Sequence, residues 1–215
     1  MTSRADMGCR CLHCRVLVVY EVVLAFGRRR SPARLARTAH ATLRAEWFIA
    51  ISQQPGSEIL AVQTLRNALM SATMTASTAV LGLIGTATLA APSLNANFGD
   101  AAVGLPNFSA RLALDLVLLT LLFASLVSSA MAVRDYNHAG FIGAMPVGSD
   151  ARQRWADTGV AYVRRAGLLY SWGLRHLVLI APILASLLHP AAGPVAAIVV
   201  VVVLCGFDRF ITADS

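Results

Sequence analysis

The sequence predicts an all-α fold: a polytopic membrane bundle with four spanning helices, a short N-terminal apolar helix and two amphipathic cytoplasmic helices. Of the 215 residues, 57% are hydrophobic and only 13% are charged, against roughly 25% charged in a soluble domain. The hydrophobic residues gather in runs at 16–26, 68–91, 112–133, 168–188 and 195–207. Arginines cluster between alternate runs, as they do in multi-pass membrane proteins.

The N-terminal region is predicted as a disordered polar leader, residues 1–15, ahead of a single helical membrane domain, residues 16–215. The leader carries Cys9, Cys11 and Cys14 beside a histidine. These zinc-type ligands are only weak metal candidates, because structural zinc sites usually use two separated pairs in a folded surrounding. No metal site and no cofactor are predicted. The run at 16–26 is shorter than the ~20 residues of a full span, so it is predicted as a shortened or interfacial helix.

The next segment, residues 33–51, has helical periodicity and a basic amphipathic character. One side carries Leu35, Ala39, Leu43 and Trp47, and the other carries Arg37 and Arg44. Such a helix either lies on an anionic membrane surface or packs on the cytoplasmic end of the bundle. A turn at 54–57 is predicted to end it.

The run at 68–91 is the firmest predicted span, because it holds no charged residue and is closed by Pro92. A loop is predicted over residues 93–110, before the span at 112–133. Small residues recur at four-residue intervals in both spans, which favours close helix packing and possible homo-oligomers. These residues are Ser71, Thr75, Ala79, Thr78, Gly82 and Thr86 in the first span, and Ala124, Ser128 and Ala132 in the second.

Beyond residue 133, Ser149 or Asp150 is predicted to cap a second amphipathic helix over residues 151–166. Its apolar side carries Trp155, Tyr162, Val163 and Ala166, and its polar side carries Arg154, Asp157, Arg164 and Arg165. The runs at 177–188 and 195–207 are joined by a short turn at 189–194. They form a membrane hairpin, either full or shallow.

Charge asymmetry predicts the orientation. Residues 27–67 contain seven arginines and residues 134–175 contain six, whereas the loop 92–111 contains one and the turn 189–194 none. The positive-inside rule places the two basic segments and the C-terminus in the cytoplasm. A lysine-free, arginine-rich chain suggests a GC-rich bacterial genome, hence the bacterial inner membrane. The net charge of +7 fits lipid headgroups better than nucleic acid, because the arginines flank apolar runs.

Three blocks carry a family resemblance: residues 59–85 (ILAVQTLRNALMSATMTASTAVLGLIG), 131–146 (MAVRDYNHAGFIGAMP) and 166–190. In order and spacing they resemble the membrane family known as domain of unknown function 599, over residues 19–210. The resemblance implies a membrane protein and carries over no catalytic role. In that family the first apolar segment is fuller than residues 16–26 are here.

The candidate site is a polar layer at the cytoplasmic ends of the spans, suited to an anion or a lipid headgroup. Its members flank three runs and are expected at one membrane level; they are Arg66, Asn67, Arg134, Asp135, Asn137, His138, Arg175 and His176. Two alternatives stay open. One is that a helix end is simply anchored and capped by Arg134, Tyr136, Asn137 and His138. The other is that Asp135, His138 and His176 form a metal site or an acid/base pair.

The chain has no H-E-x-x-H, G-x-S-x-G, Walker A or G-x-G-x-x-G motif, so nothing in it argues for catalysis. The leading hypothesis is a non-enzymatic structural or accessory component of the membrane. The alternative is an anion or small-solute transport module that uses the polar layer. A membrane enzyme acting on lipid ranks third.

Overall fold

A computed structural model describes residues 36–98 and 110–208, which form helices and no strand. The five helices are α1 (Ala36–Gln53), α2 (Glu58–Phe98), α3 (Ala110–Ala144), α4 (Asp150–Leu188) and α5 (Ala192–Asp208). The all-α prediction is therefore confirmed for this part of the chain. The leader, with Cys9, Cys11 and Cys14, and the run at 16–26 lie outside the described residues.

Three helices are long and apolar enough to cross a membrane: Glu58–Asn95, Arg111–Ala144 and Asp150–Leu188. α5 is apolar but has only 17 residues, a length of about 25 Å, against a hydrocarbon core of ~30 Å. The structure therefore confirms three membrane-compatible helices and does not confirm a fourth full span.

The helices extend further than the apolar runs that predicted them. α2 continues through Pro92 to Phe98, so the predicted end at Pro92 and the loop over 93–98 are wrong. A proline removes one backbone donor, and the remaining hydrogen bonds keep the helix intact. α3 likewise continues ten residues past Arg134 to Ala144, so the polar residues at 134–138 do not cap a helix end.

The predicted amphipathic helix at 151–166 is not a separate element, because α4 runs unbroken from Asp150 to Leu188. Its predicted polar side is correct, since Arg154, Asp157, Arg164 and Arg165 are all exposed. Val163 and Ala166 are buried, whereas Trp155 is 51% exposed. The apolar prediction therefore holds for the C-terminal part of that side.

Short turns join α1 to α2, α3 to α4 and α4 to α5. Gly56 and Gly148 have φ values of 82° and 87°, which glycine adopts at low cost. At the start of α4 the Ser149 hydroxyl accepts the Arg152 backbone N–H at 3.3 Å, which confirms the predicted cap. The turn between α4 and α5 is closed by the Ala192 N–H, which donates to the His189 carbonyl at 2.9 Å.

The described chain divides into two compact units. The apolar unit comprises residues 79–98, 110–124 and 176–207, and the basic unit comprises residues 36–78 and 125–175. In the apolar unit, leucines of α3 pack against isoleucines of α4, and Leu179 packs against Val200 and Leu204 of α5. Many large apolar side chains remain exposed, such as Leu89 at 83% and Leu81 at 71%, as on a surface that faces lipid.

In the basic unit, α1 packs against α4 through two close contacts. The Phe48 ring lies against Gly159, and the Arg44 guanidinium lies against Gly167, in both cases where a β-carbon would stand. Of the two placements left open, α1 thus packs on the helices. Its packed face agrees with the predicted one only in part: Trp47 packs against the core beside Phe48, which is 1% exposed, while Leu43 is 62% exposed.

α3 approaches α4 at Gly173. The Ser125 hydroxyl donates to the Gly173 carbonyl at 2.8 Å, and the Ser129 hydroxyl lies where a Gly173 β-carbon would stand. Ser125, Ser129 and Ala132 are all 0% exposed. Small residues therefore pack α3 closely, as predicted, but the contact includes Ser125 and Ser129 in place of the half-buried Ala124 and Ser128.

The small residues of α2 are divided between two faces. Ala72 and Thr75 are buried, whereas Ser71 and Thr78 are exposed. Both exposed hydroxyls donate to carbonyls one turn earlier, Asn67 at 3.1 Å and Met74 at 3.0 Å. A hydroxyl bonded within its own helix can face lipid at little cost, so these positions need no partner helix.

We predict that Gly173→Ala lowers the melting temperature of the detergent-purified protein, with a loss of about 1–3 kcal/mol for overpacking. The added methyl group collides with the Ser129 hydroxyl and comes into van der Waals contact with the α3 backbone. Gly85→Ala is the matched control, since a β-carbon at this helical glycine meets nothing within 4 Å. Equal melting temperatures for the two variants would contradict the close approach.

Candidate functional site

The polar residues of α3 are distributed over two faces of the helix. Asp135 and Tyr136 are buried, at 1% and 4% exposure, while Arg134, Asn137 and His138 are exposed. Tyr136 belongs to the core of the basic unit, with Phe48, Leu65 and Val163. The predicted layer therefore separates into residues that hold helices together and residues that face outward.

Asp135 faces α4. Its Oδ2 lies 3.3 Å from the Arg165 Nε, close enough for an ion pair, and the Arg165 side chain is 60% exposed. That contact lacks the geometry of a hydrogen bond, and neither carboxylate oxygen of Asp135 has a hydrogen-bond partner among the described residues. Asp135 is thus a buried carboxylate that pairs with an arginine exposed at the protein surface.

His138 is exposed, and its ring nevertheless contacts α4 by stacking on Tyr162, with centroids 5.3 Å apart and planes 28° apart. Asp135 and His138 therefore both meet α4, but at separate residues. Within residues 36–98 and 110–208, no group of three His, Cys, Asp or Glu side chains could hold a metal ion. Cys205 is a free thiol at a half-buried position of α5.

Arg175 lies deeper than Arg134. Gly173 is level with Ser125, nine residues before Arg134 on α3 and so about 14 Å along the helix from it. Arg175 lies two residues further along α4, away from the turn, and is 4% exposed. This register differs from the single membrane level that was expected for the polar layer. Asp135 and His138 of α3 stand beside Arg165 and Tyr162 of α4, and Arg175 lies further along α4. His176 follows at a half-buried position.

Two residues of the predicted polar layer line the same groove. Arg66 of α2 and Asn137 of α3 line one groove in the basic unit, with a cavity volume of about 300 Å³. Both side chains are exposed. The other lining residues are mostly apolar: Val62, Leu65, Leu69, Tyr136, Gly140, Phe141 and Ala144. Asn67 is exposed on α2 and does not line this groove.

Arg152, which no sequence pattern singled out, joins three helices. Its Nη1 donates to the Gly143 carbonyl at 2.7 Å and to the Met145 carbonyl, and its Nη2 donates to the Ser52 hydroxyl at 3.2 Å. The side chain is 2% exposed. Arg152 therefore satisfies carbonyls at the C-terminal end of α3, which have no partner within the helix. No local sequence signal reveals this role, because the turn must first bring the groups together.

Glu58 supports the same junction from the start of α2, ten residues ahead of the charge-free run. Its Oε1 accepts the Val147 backbone N–H at 2.9 Å. That hydrogen bond lowers the pKa of the Glu58 carboxyl below its ordinary value, because it stabilises the charged form. A cavity of about 520 Å³ adjoins the junction and is lined by Arg152, Ser52, Asp157 and neighbouring residues.

We predict that Arg165→Gln destabilises the protein by about 1 kcal/mol, since the exposed arginine is screened by solvent and its loss leaves a buried charge. In an Asp135→Asn background, the same substitution should cost little. Melting temperatures of the two single variants and the double variant measure this coupling. Arg164→Gln, an equal charge change at the exposed neighbouring position, is the control. An equal cost of Arg165→Gln in both backgrounds would show that the ion pair contributes nothing.

Comparison with known proteins gives one match. The family model described as protein of unknown function, DUF599, matches residues 10–213, nearly the whole chain. No curated protein and no solved structure matches the chain.

Proposed function

The chain belongs to the DUF599 family of proteins of unknown function, and we propose that it is a non-enzymatic structural or accessory component of the bacterial inner membrane. One observation supports this role best: three buried polar groups of the basic unit, Asp135, Ser125 and Arg152, contact other helices. Asp135 pairs with Arg165, Ser125 bonds Gly173, and Arg152 binds carbonyls at the end of α3. Polar groups that contact neighbouring helices in this way stabilise the arrangement of the helices.

The orientation proposed with this role places the basic segments 27–67 and 134–175 and the C-terminus in the cytoplasm. Arg44, Arg66, Arg134, Arg152, Arg154, Arg164 and Arg165 belong to the basic unit, and positively charged segments are retained on the cytoplasmic side. The α4–α5 turn, which carries no arginine, then faces the periplasm.

Cysteine labelling tests the orientation. In a variant without the four native cysteines, Ala191→Cys, an exposed position in the α4–α5 turn, should react with a membrane-impermeant maleimide in intact cells. Gln54→Cys, exposed in the α1–α2 turn, should react only after the membrane is permeabilised. The reverse pattern would invert the proposed topology.

Reconstitution tests the role itself. We expect proteoliposomes of the full-length protein to release chloride and phosphate no faster than empty liposomes, because Asp135, Ser125 and Arg152 are engaged by neighbouring helices. Native mass spectrometry of the same preparation should detect a homo-oligomer or a stoichiometric protein partner. Anion release above the empty control, reduced by Arg66→Gln or Arg175→Gln, would instead establish the transport alternative.

A further inference from the structure

The groove between α2 and α3 combines an exposed cation with an apolar lining. Arg66 and Asn137 supply polar groups, and no acidic side chain of the described residues forms an ion pair with Arg66. The lining is otherwise mostly aliphatic and aromatic, with Leu65, Leu69 and Tyr136 among its residues. An occupant must therefore be an amphiphile whose charged part is anionic.

The depth of Arg66 and Asn137 fits a lipid headgroup. Arg66 lies two residues before the charge-free run at 68–91, and Asn137 lies four residues after Val133, where the apolar run of α3 ends. At 1.5 Å per residue these offsets are about 3 and 6 Å. The headgroup layer on each side of the hydrocarbon core is about 5–8 Å thick. Both side chains therefore lie where lipid phosphates lie.

The surface around the groove favours lipid over a soluble anion. On the membrane side of Arg66, one and two helical turns along α2, Met70 is 54% exposed and Met74 is 71% exposed, so apolar surface continues from Arg66 into the apolar run. A free anion would satisfy Arg66 and make no contact with that surface. A phospholipid covers the apolar surface and brings a phosphate to the guanidinium.

We propose that this groove binds an acidic phospholipid of the surrounding bilayer, with its phosphate at Arg66 and Asn137. A basic residue near the membrane surface favours an acidic lipid by about fivefold in affinity. The inference goes beyond the proposed structural role, since a transporter could hold the same lipid.

Native mass spectrometry of the full-length protein in mild detergent tests the site, with phosphatidylglycerol or phosphatidylethanolamine added as the probe. We expect the wild-type protein to bind phosphatidylglycerol about fivefold more tightly. Arg66→Gln should remove this preference, and Arg66→Lys should retain it. Arg164→Gln, an exposed arginine on α4 outside the groove, should leave it unchanged.

A second variant fills the groove without removing charge. A β-carbon at Gly140 meets nothing within 4 Å although Gly140 lines the groove, so Gly140→Leu should occupy the open space and weaken lipid binding. Gly85→Leu, at an equally open glycine of α2 outside the groove, should bind lipid as the wild type does.

Three outcomes would overturn the proposal. The first is equal binding of the two lipids by the wild-type protein, and the second is an unchanged preference in Arg66→Gln. The third is a lipid-free dimer that Gly140→Leu dissociates, which would make a second copy of the chain the occupant. Anion release from proteoliposomes tests the structural role only, and the lipid-binding measurements do not depend on its outcome.

Discussion

The basic unit depends on the close approach of neighbouring helices to the glycines of α4. Phe48 lies against Gly159, Arg44 lies against Gly167, and Ser129 lies against Gly173. In each case a neighbouring side chain occupies the space that a β-carbon would need. Within lipid, helices gain little from the hydrophobic effect when they associate, so such close packing supplies much of the attraction. The glycines thereby fix the position of α4 against both α1 and α3.

That register determines which polar groups meet. With Gly173 beside Ser125, the antiparallel course of α3 and α4 brings Asp135 to Arg165 and His138 to Tyr162. The same course brings Arg152 to the carbonyls at the end of α3. Burying a carboxylate as deeply as that of Asp135 is costly unless an opposite charge lies nearby. The helix packing supplies that charge, because it places Arg165 beside Asp135.

The sequence predicted the type of each described element better than its ends. The runs at 68–91 and 112–133 indicated helices correctly, because apolar composition reports which part of a helix suits lipid. It does not report where backbone hydrogen bonding stops. α3 continues past Arg134 because Tyr136 and Ile142 pack in the core of the basic unit. Neither contact is visible in the local pattern.

The candidate residues were predicted with the same limit. Arg66 and Asn137 were recognised, and the structure brings both to one groove. Arg175 was expected at their level, and the register places it deeper. The packed face of α1 was predicted only in part because a helical wheel assigns Arg44 to the polar side. A helical wheel of α1 contains no information about α4, where Gly167 leaves room for the guanidinium on the packed side.

Burial separates the polar residues of α3 into two kinds. Ser125, Ser129 and Asp135 face α4 and are almost fully buried, so moving α4 away would expose a row of polar groups to lipid. Each such group lacks water as an alternative partner there, which favours keeping the two helices together. Asn137 faces outward beside Arg66 and holds no helix in place. Polar groups that packing does not require are the ones free to bind a ligand, and in the basic unit these two line the same groove.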